Sequence, residues 1–174
     1  MKKLSLIIIA SVFLGLAGQK LNAQELKFGH IDTEELMQAL PETDTAIARL
    51  ERFGRELSNF LELLQVELNN KMYEYEREAG NWVDLVRETK ANELMDLNRR
   101  FQEAQQTAQQ QYQERQVEYL QPIFAKVEKA IQDVGRENGF IYIFSIGQGT
   151  SVSYFDETKS VDIMPLAKAK LGVR

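Results

Sequence analysis

His30 and Asp32 stand two residues apart in an alternating stretch. In an extended strand their side chains share a face, the placement that a general base and its orienting carboxylate need. No nucleophile accompanies them, and His30 is the single histidine of the 174 residues. Ile146-Gly147-Gln148-Gly149-Thr150 has the glycines of a phosphate-binding loop but lies between two strand-like stretches, with no helix N-terminus after it. A hairpin turn is its expected role. The many glutamates are spread over solvated helix faces with no concavity to pair them. With one His, no Cys and no oxygen-dense loop, neither a transition-metal nor a calcium site is expected. The sequence predicts no enzyme, with no catalytic residue, no metal ligand and no cofactor.

The elements that carry these residues are unequal in length. Leu26 to Asp32 reads as a short strand, with Leu26, Phe28 and His30 on one side and Lys27, Gly29 and Ile31 on the other. Asp32-Thr33-Glu34-Glu35 has the form of a capping box and predicts a short helix through Leu40, ended by Pro41. From Thr45 to about Gly80 a long amphipathic helix is expected, with a seam of Ile47, Leu50, Leu57, Leu61, Leu64, Leu68 and Met72 and an empty seam position at Gly54. Gly80-Asn81 interrupts it. A second helix from about Trp82 to Val134 returns along a stripe that includes Leu94, Leu97, Phe101, Ala104, Ala108, Tyr112, Tyr119, Ile123, Val127 and Val134.

Two such helices joined by a short turn make an antiparallel hairpin, an arm of roughly 50–65 Å at about 1.5 Å per residue. Eight glutamines between Gln102 and Gln116 crowd out large apolar side chains, so the seam there cannot be tight and dry. Pro122 is expected to kink the second helix or to mark where arm becomes body. Trp82-Val83-Asp84-Leu85-Val86 forms an apolar cluster near the arm tip, where Trp82 either packs back across its own hairpin or offers a surface to partners.

Beyond Gly139 the pattern returns to strands. Phe140–Ile146 and Ser151–Phe155 are expected to form a hairpin, and Asp162 with Pro165 opens a last helix through Leu171. The first strand must join this pair, so both chain ends make one small sheet. The expected fold is α+β and mostly α: a body of residues 24–44 and 122–174 bearing a helical arm of residues 45–121. One chain cannot bury Phe28, Phe140, Tyr142, Phe144 and Phe155 on so small a sheet, so self-association through this body is expected.

Lys2 and Lys3 followed by the apolar run Leu4–Ala17 predict a cleaved signal peptide of residues 1–23. Without Lys2, Lys3 and Lys20 there remain 18 basic and 26 acidic side chains, a formal charge of −8. That balance argues against nucleic acid as a partner. Outside the leader no stretch is apolar enough for an integral membrane anchor, so a periplasmic protein stabilised without disulfides is expected.

Lys27-Phe28-Gly29-His30-Ile31-Asp32 with Leu40-Pro41-Glu42 resembles the opening strand and turn of the Skp/OmpH-type periplasmic chaperones. Pro122 to Ile131, followed by Val134 and Gly139-Phe140, is similar to their return segment, and Asp162-Ile163 with the helix ending Leu171-Gly172 to their C-terminal end. Met164-Pro165 departs from the more usual polar residues there. The resemblance implies a homotrimer with three arms around a cavity, which holds unfolded outer-membrane proteins without ATP or metal. Familiar members have cationic arms, whereas Asp44–Gln121 carries 15 acidic and 10 basic side chains. Client contact is therefore expected at apolar arm residues: Phe60, Leu63, Val66, Tyr73, Trp82 and Val86. The alternatives are a structural or adaptor coiled coil of the envelope, for which the Gln-rich arm is a poor seam, and an envelope hydrolase, for which no constellation speaks.

Overall fold

The computed structural model describes residues 26–147 and 150–173. The expected leader, residues 1–23, and two residues of the expected Gly147–Gly149 turn lie outside them. Strand β1 spans Lys27–Asp32, helix α1 Thr33–Gln38, helix α2 Pro41–Glu78 and helix α3 Asp84–Asn138. Strand β2 (Phe140–Ile146), strand β3 (Ser160–Asp162) and helix α4 (Met164–Leu171) complete the chain.

Local chemistry sets the boundaries. The Asp32 carboxylate accepts from the backbone N–H of Glu34 at 3.0 Å and of Glu35 at 3.1 Å, satisfying two of the donors that open α1. Pro41 then occupies the first turn of α2, where its missing N–H costs nothing. The buried Thr43 hydroxyl donates to the Met37 carbonyl at 2.6 Å and ties the two helices together. The 38 residues of α2 end in a single 3-10 turn, Ala79–Asn81, and the 55 residues of α3 run back antiparallel. Pro122 lies inside α3 without ending it, and the helix continues to a left-handed Gly139.

The sheet order is β2-β1-β3, and both pairings are parallel. The hairpin expected from Phe140–Ile146 and Ser151–Phe155 does not form. Residues 151–155 are not a strand, and the third strand is Ser160–Asp162. The cause is Ile163, the residue after β3. It is fully buried, its N–H donates to the His30 carbonyl at 3.0 Å, and its side chain lies over Gly29. A Cβ at position 29 would meet Ile163 at 3.0 Å and Ile143 and Phe140 at 3.2 Å. Burying Ile163 beside β1 outweighs the weaker preference of the alternating, more exposed 151–155 segment.

The core sits where α1, the base of α3 and α4 cover one face of the sheet. Ile31, Leu36, Leu40, Val127, Val134, Ile163 and Ala167 fill it. This body holds both chain ends, and the arm is held by two-helix packing alone. Leu50, Leu68, Leu97 and Ala108 are buried along the arm, whereas Leu57, Leu61 and Leu64 are half-buried. Ile47 and Met72, expected in the seam, are exposed at 44% and 46%. Toward the tip Lys71, Glu74 and Tyr75 are among the half-buried positions instead.

Candidate functional site

The residues whose types suggest chemistry have structural duties. His30 Nδ1 lies 2.9 Å from the Ser160 hydroxyl, a contact that spans β1 and β3, and the imidazole packs on Phe155 with centroids 4.5 Å apart. Asp32 caps α1, and its carboxylate lies 2.9 Å from where a Cβ on Gly147 would stand. Among the described residues no group of three or more His, Cys, Asp or Glu side chains could hold a metal ion.

What the fold offers instead is exposed apolar surface at three places. The outer face of the sheet carries an aromatic ladder: Phe28 stacks on Tyr142 at 6.3 Å, and Tyr142 on Phe144 at 6.0 Å. Strand alternation opposes this face to the buried Gly29 and Ile31. Tyr142 and Phe144 are exposed. Of the five expected body aromatics, Phe140 stands apart. It packs against the intrachain core and carries the Lys27 ammonium 4.3 Å above its ring. A register irregularity between Lys27 and Phe28 in the β1–β2 pairing separates Phe140 from Tyr142.

The second surface is the junction of body and arm. Met37, Ile47, Leu120, Phe124 and Ile146 line an open, mostly apolar groove of about 450 Å³, with Thr33 and Ser145 hydrogen-bonded at 2.8 Å on its rim. Sequence periodicity misses it because the period places Ile47 in the seam, and Phe124 stands next to a seam residue, Ile123.

The arm is the third. Phe60, Leu63, Val66, Tyr73 and Val86 are all exposed, Leu63 and Tyr73 at 70% and 71%. They do not converge on one patch. Phe60 borders a depression with Leu57, Ala104 and Ala108, whereas Leu63 and Val66 border another with Asn70 and Lys71. Trp82 packs back on its own hairpin, edge-on to Tyr75 with centroids 5.7 Å apart, so of the two roles open to it the intrachain one is observed. Arg87 braces the tip, donating to the carbonyls of Ala79 and Trp82 at 3.1 Å each. Val83 and Leu85 of the apolar cluster at the arm tip are exposed, and so is Met95, which escapes a reading of the sequence because it lies off the helical stripe.

Charges on the arm are largely answered locally. Lys90 and Glu93 pair at 2.9 Å, which raises the lysine and lowers the carboxyl from their ordinary values. At the body, hydrogen bonds from Lys129 and then Arg136 hold the Asp133 carboxyl down to about 2. Glu93, Lys129 and Arg136 are exposed and Lys90 and Asp133 half-buried, so solvent screens these pairs and they shape local geometry more than stability. No described helix is long and apolar enough to cross a membrane.

A small sheet rooted by both chain ends, a helical hairpin projecting from it and open apolar surface define an arm-bearing protein of the α+β class. The chain belongs to the OmpH-like family, described as "Outer membrane protein (OmpH-like)", which matches residues 27–171. It is 24% identical over 161 residues to the chaperone protein Skp of Yersinia enterocolitica, covering 92% of this chain and 96% of that protein. With the chaperone protein Skp of Vibrio cholerae it shares 23% identity over 137 residues, 79% of each chain. The crystal structure of an OmpH-like protein from Caulobacter crescentus superposes with a TM-score of 0.69 at 14% identity, over 84% of this chain and 83% of that one. That likeness extends to the fold.

Proposed function

We propose that the chain is a periplasmic, ATP-independent holding chaperone that binds unfolded outer-membrane proteins between the arms of a homotrimer and keeps them from aggregating. The carrying observation is exposed apolar side chains spread along an arm that has no enclosed site. Many weak contacts hold an unfolded chain without one deep site. Relatives named chaperone protein Skp over nearly the whole chain support the same reading.

Self-association rests on the body. Strand β2 is an edge strand of seven residues without a charge or proline, Phe140 to Ile146, and it bears the exposed half of the aromatic ladder. Beside it Ile131, Gly135, Ile141 and Ile143 line a further open depression of about 410 Å³. An uncovered apolar edge of this kind is an aggregation hazard unless another chain covers it. Residues 24–44 and 122–174 as the assembling body, residues 45–121 as the arm, and removal of residues 1–23 on export belong to the same proposal.

The test is dilution of a urea-unfolded outer-membrane protein into buffer with and without an excess of this chain, monitored by light scattering. Suppressed scattering without nucleotide is expected. Unchanged scattering would leave a structural or adaptor role for the arm.

A further inference from the structure

Three depressions adjoin one another along the arm. The first, near the middle, lies between Leu57 and Phe60 of α2 and the small Ala104 and Ala108 of α3, with a volume of about 290 Å³. Another, about 410 Å³, is bordered by Leu63 and Val66. The third, about 170 Å³, lies under Trp82 and Tyr75 at the tip. Arg100 lines both the first and the tip depression, and Glu67, Lys71 and Glu74 line both the second and the tip depression, so the series is continuous.

We propose that this series is a track for an extended client segment whose apolar side chains alternate with small uncharged polar ones, the pattern of a β-strand before it folds. The proposal rests on the holding-chaperone reading above and names the form in which that client is gripped.

Length fits a strand. From Leu57 to Tyr75 the helix rises about 27 Å at about 1.5 Å per residue, which an extended chain at about 3.3 Å per residue spans with about eight residues. Alternate side chains of a strand point the same way, so one face of the client enters the depressions while the other faces water. A client helix of the same length needs about 18 residues and is as broad as the arm itself.

Charge fits an uncharged face. The arm is acidic as a whole, but most carboxylates along the track have a cation beside them: Lys71 lies 3.4 Å from Glu74, Lys90 2.9 Å from Glu93 and Arg99 3.9 Å from Glu103, which leaves Glu67 and Arg100, of opposite sign, outside the pairs. Such pairs offer no net field to a charged partner. Arg100 makes no ion pair among the described residues and stands where two depressions meet. An extended backbone presents unpaired carbonyls, and a guanidinium can donate to two of them at once.

Trp82 is the single tryptophan of the chain and lines the tip depression, so its emission reports occupancy. The full chain is titrated with two Trp-free, uncharged decapeptides of equal composition. One alternates Val or Tyr with Ser or Thr, and the other places the same apolar residues three and four apart. The alternating peptide is expected to shift Trp82 emission and to bind at least about fivefold tighter, and F60S/L63S to remove most of that preference. Both residues are more than half exposed, and unchanged far-ultraviolet circular dichroism is the check that the variant folds. Equal binding of the two peptides, or an unchanged preference in F60S/L63S, would overturn the track. If the wild-type chain still suppressed scattering of the unfolded membrane protein, that failure would be the track's alone and the chaperone reading would stand.

Discussion

The ring of Tyr112 stands in the place that a side chain at Gly54 would take: a Cβ built on Gly54 lies 3.1 Å from Tyr112 Cε2. The gap in the leucine seam of α2 is therefore filled from α3, within the Gln-rich stretch. Arg115, three residues on, lies over Phe53 at 5.2 Å and over Tyr119 at 5.8 Å. Aromatic and cationic contacts hold the helices together where leucines are missing.

Gly54→Ala sets helix propensity against that contact. Alanine gains about 1 kcal/mol over glycine inside a helix. The obstacle is the edge of a Tyr112 ring that is 37% exposed and free to move outward. Net stabilisation of about 0.5 kcal/mol is expected from urea denaturation, the propensity gain less the cost of displacing the ring. Destabilisation would mean that the ring is held in place, and Gly54→Ala with Tyr112→Ala would then recover the gain.

Phe144→Asp tests the body as the site of assembly. Phe144 lies on the outer sheet face and is exposed within the single chain, so a carboxylate there should leave the protomer folded. Sedimentation at micromolar concentration should show a trimer for the parent and monomers for the variant. A variant that still assembles would move the interface away from the aromatic ladder.

Client binding should depend little on salt. The arm has no cationic excess to be screened, and at about 0.15 M the Debye length is already about 8 Å. Dissociation constants for an unfolded membrane protein measured at about 0.1 M and about 0.4 M salt should agree within about threefold. A steep fall in affinity would mean that charge holds the client.

Asp133 makes a pH-dependent contribution of known sign. Its carboxyl is held at about 2, below the ordinary 3.8, by hydrogen bonds from Lys129 and Arg136 in the folded chain. The stabilisation is therefore fully present above the ordinary value and is lost as pH falls through about 2. Asp133→Asn should flatten the dependence of thermal midpoint on pH in that acidic window and leave its dependence near neutrality unchanged. An unaltered acid slope would assign the effect to other carboxylates.

Much of the architecture was legible from period and punctuation. Apolar residues at steps of three and four, with Pro41 and Gly80-Asn81 as breaks, set out two long helices and their turn. These signals are local, since caps, prolines and one helical face depend on neighbours within a few residues. In the Gln-rich stretch Ala104 and Ala108 border a depression, and Ala108 itself is buried.

The sheet was another matter. Val152 and Tyr154 alternate with Ser151 and Ser153 as in a strand, yet Ser160–Asp162 takes the place beside β1, because Ile163 is buried against Gly29, which is remote from it in the chain. No pattern in one segment reports which of two segments a distant strand will accept. The same limit applied to the surfaces: the return of Trp82 onto Tyr75 and the groove at Phe124 depend on how α2 and α3 rotate about each other. The sequence by itself determined the helices, the first two strands and the family, because those rest on local periodicity and ordered motifs. Strand pairing and the grouping of exposed side chains were decided only by tertiary packing, where burial of a few distant residues outweighs local preference.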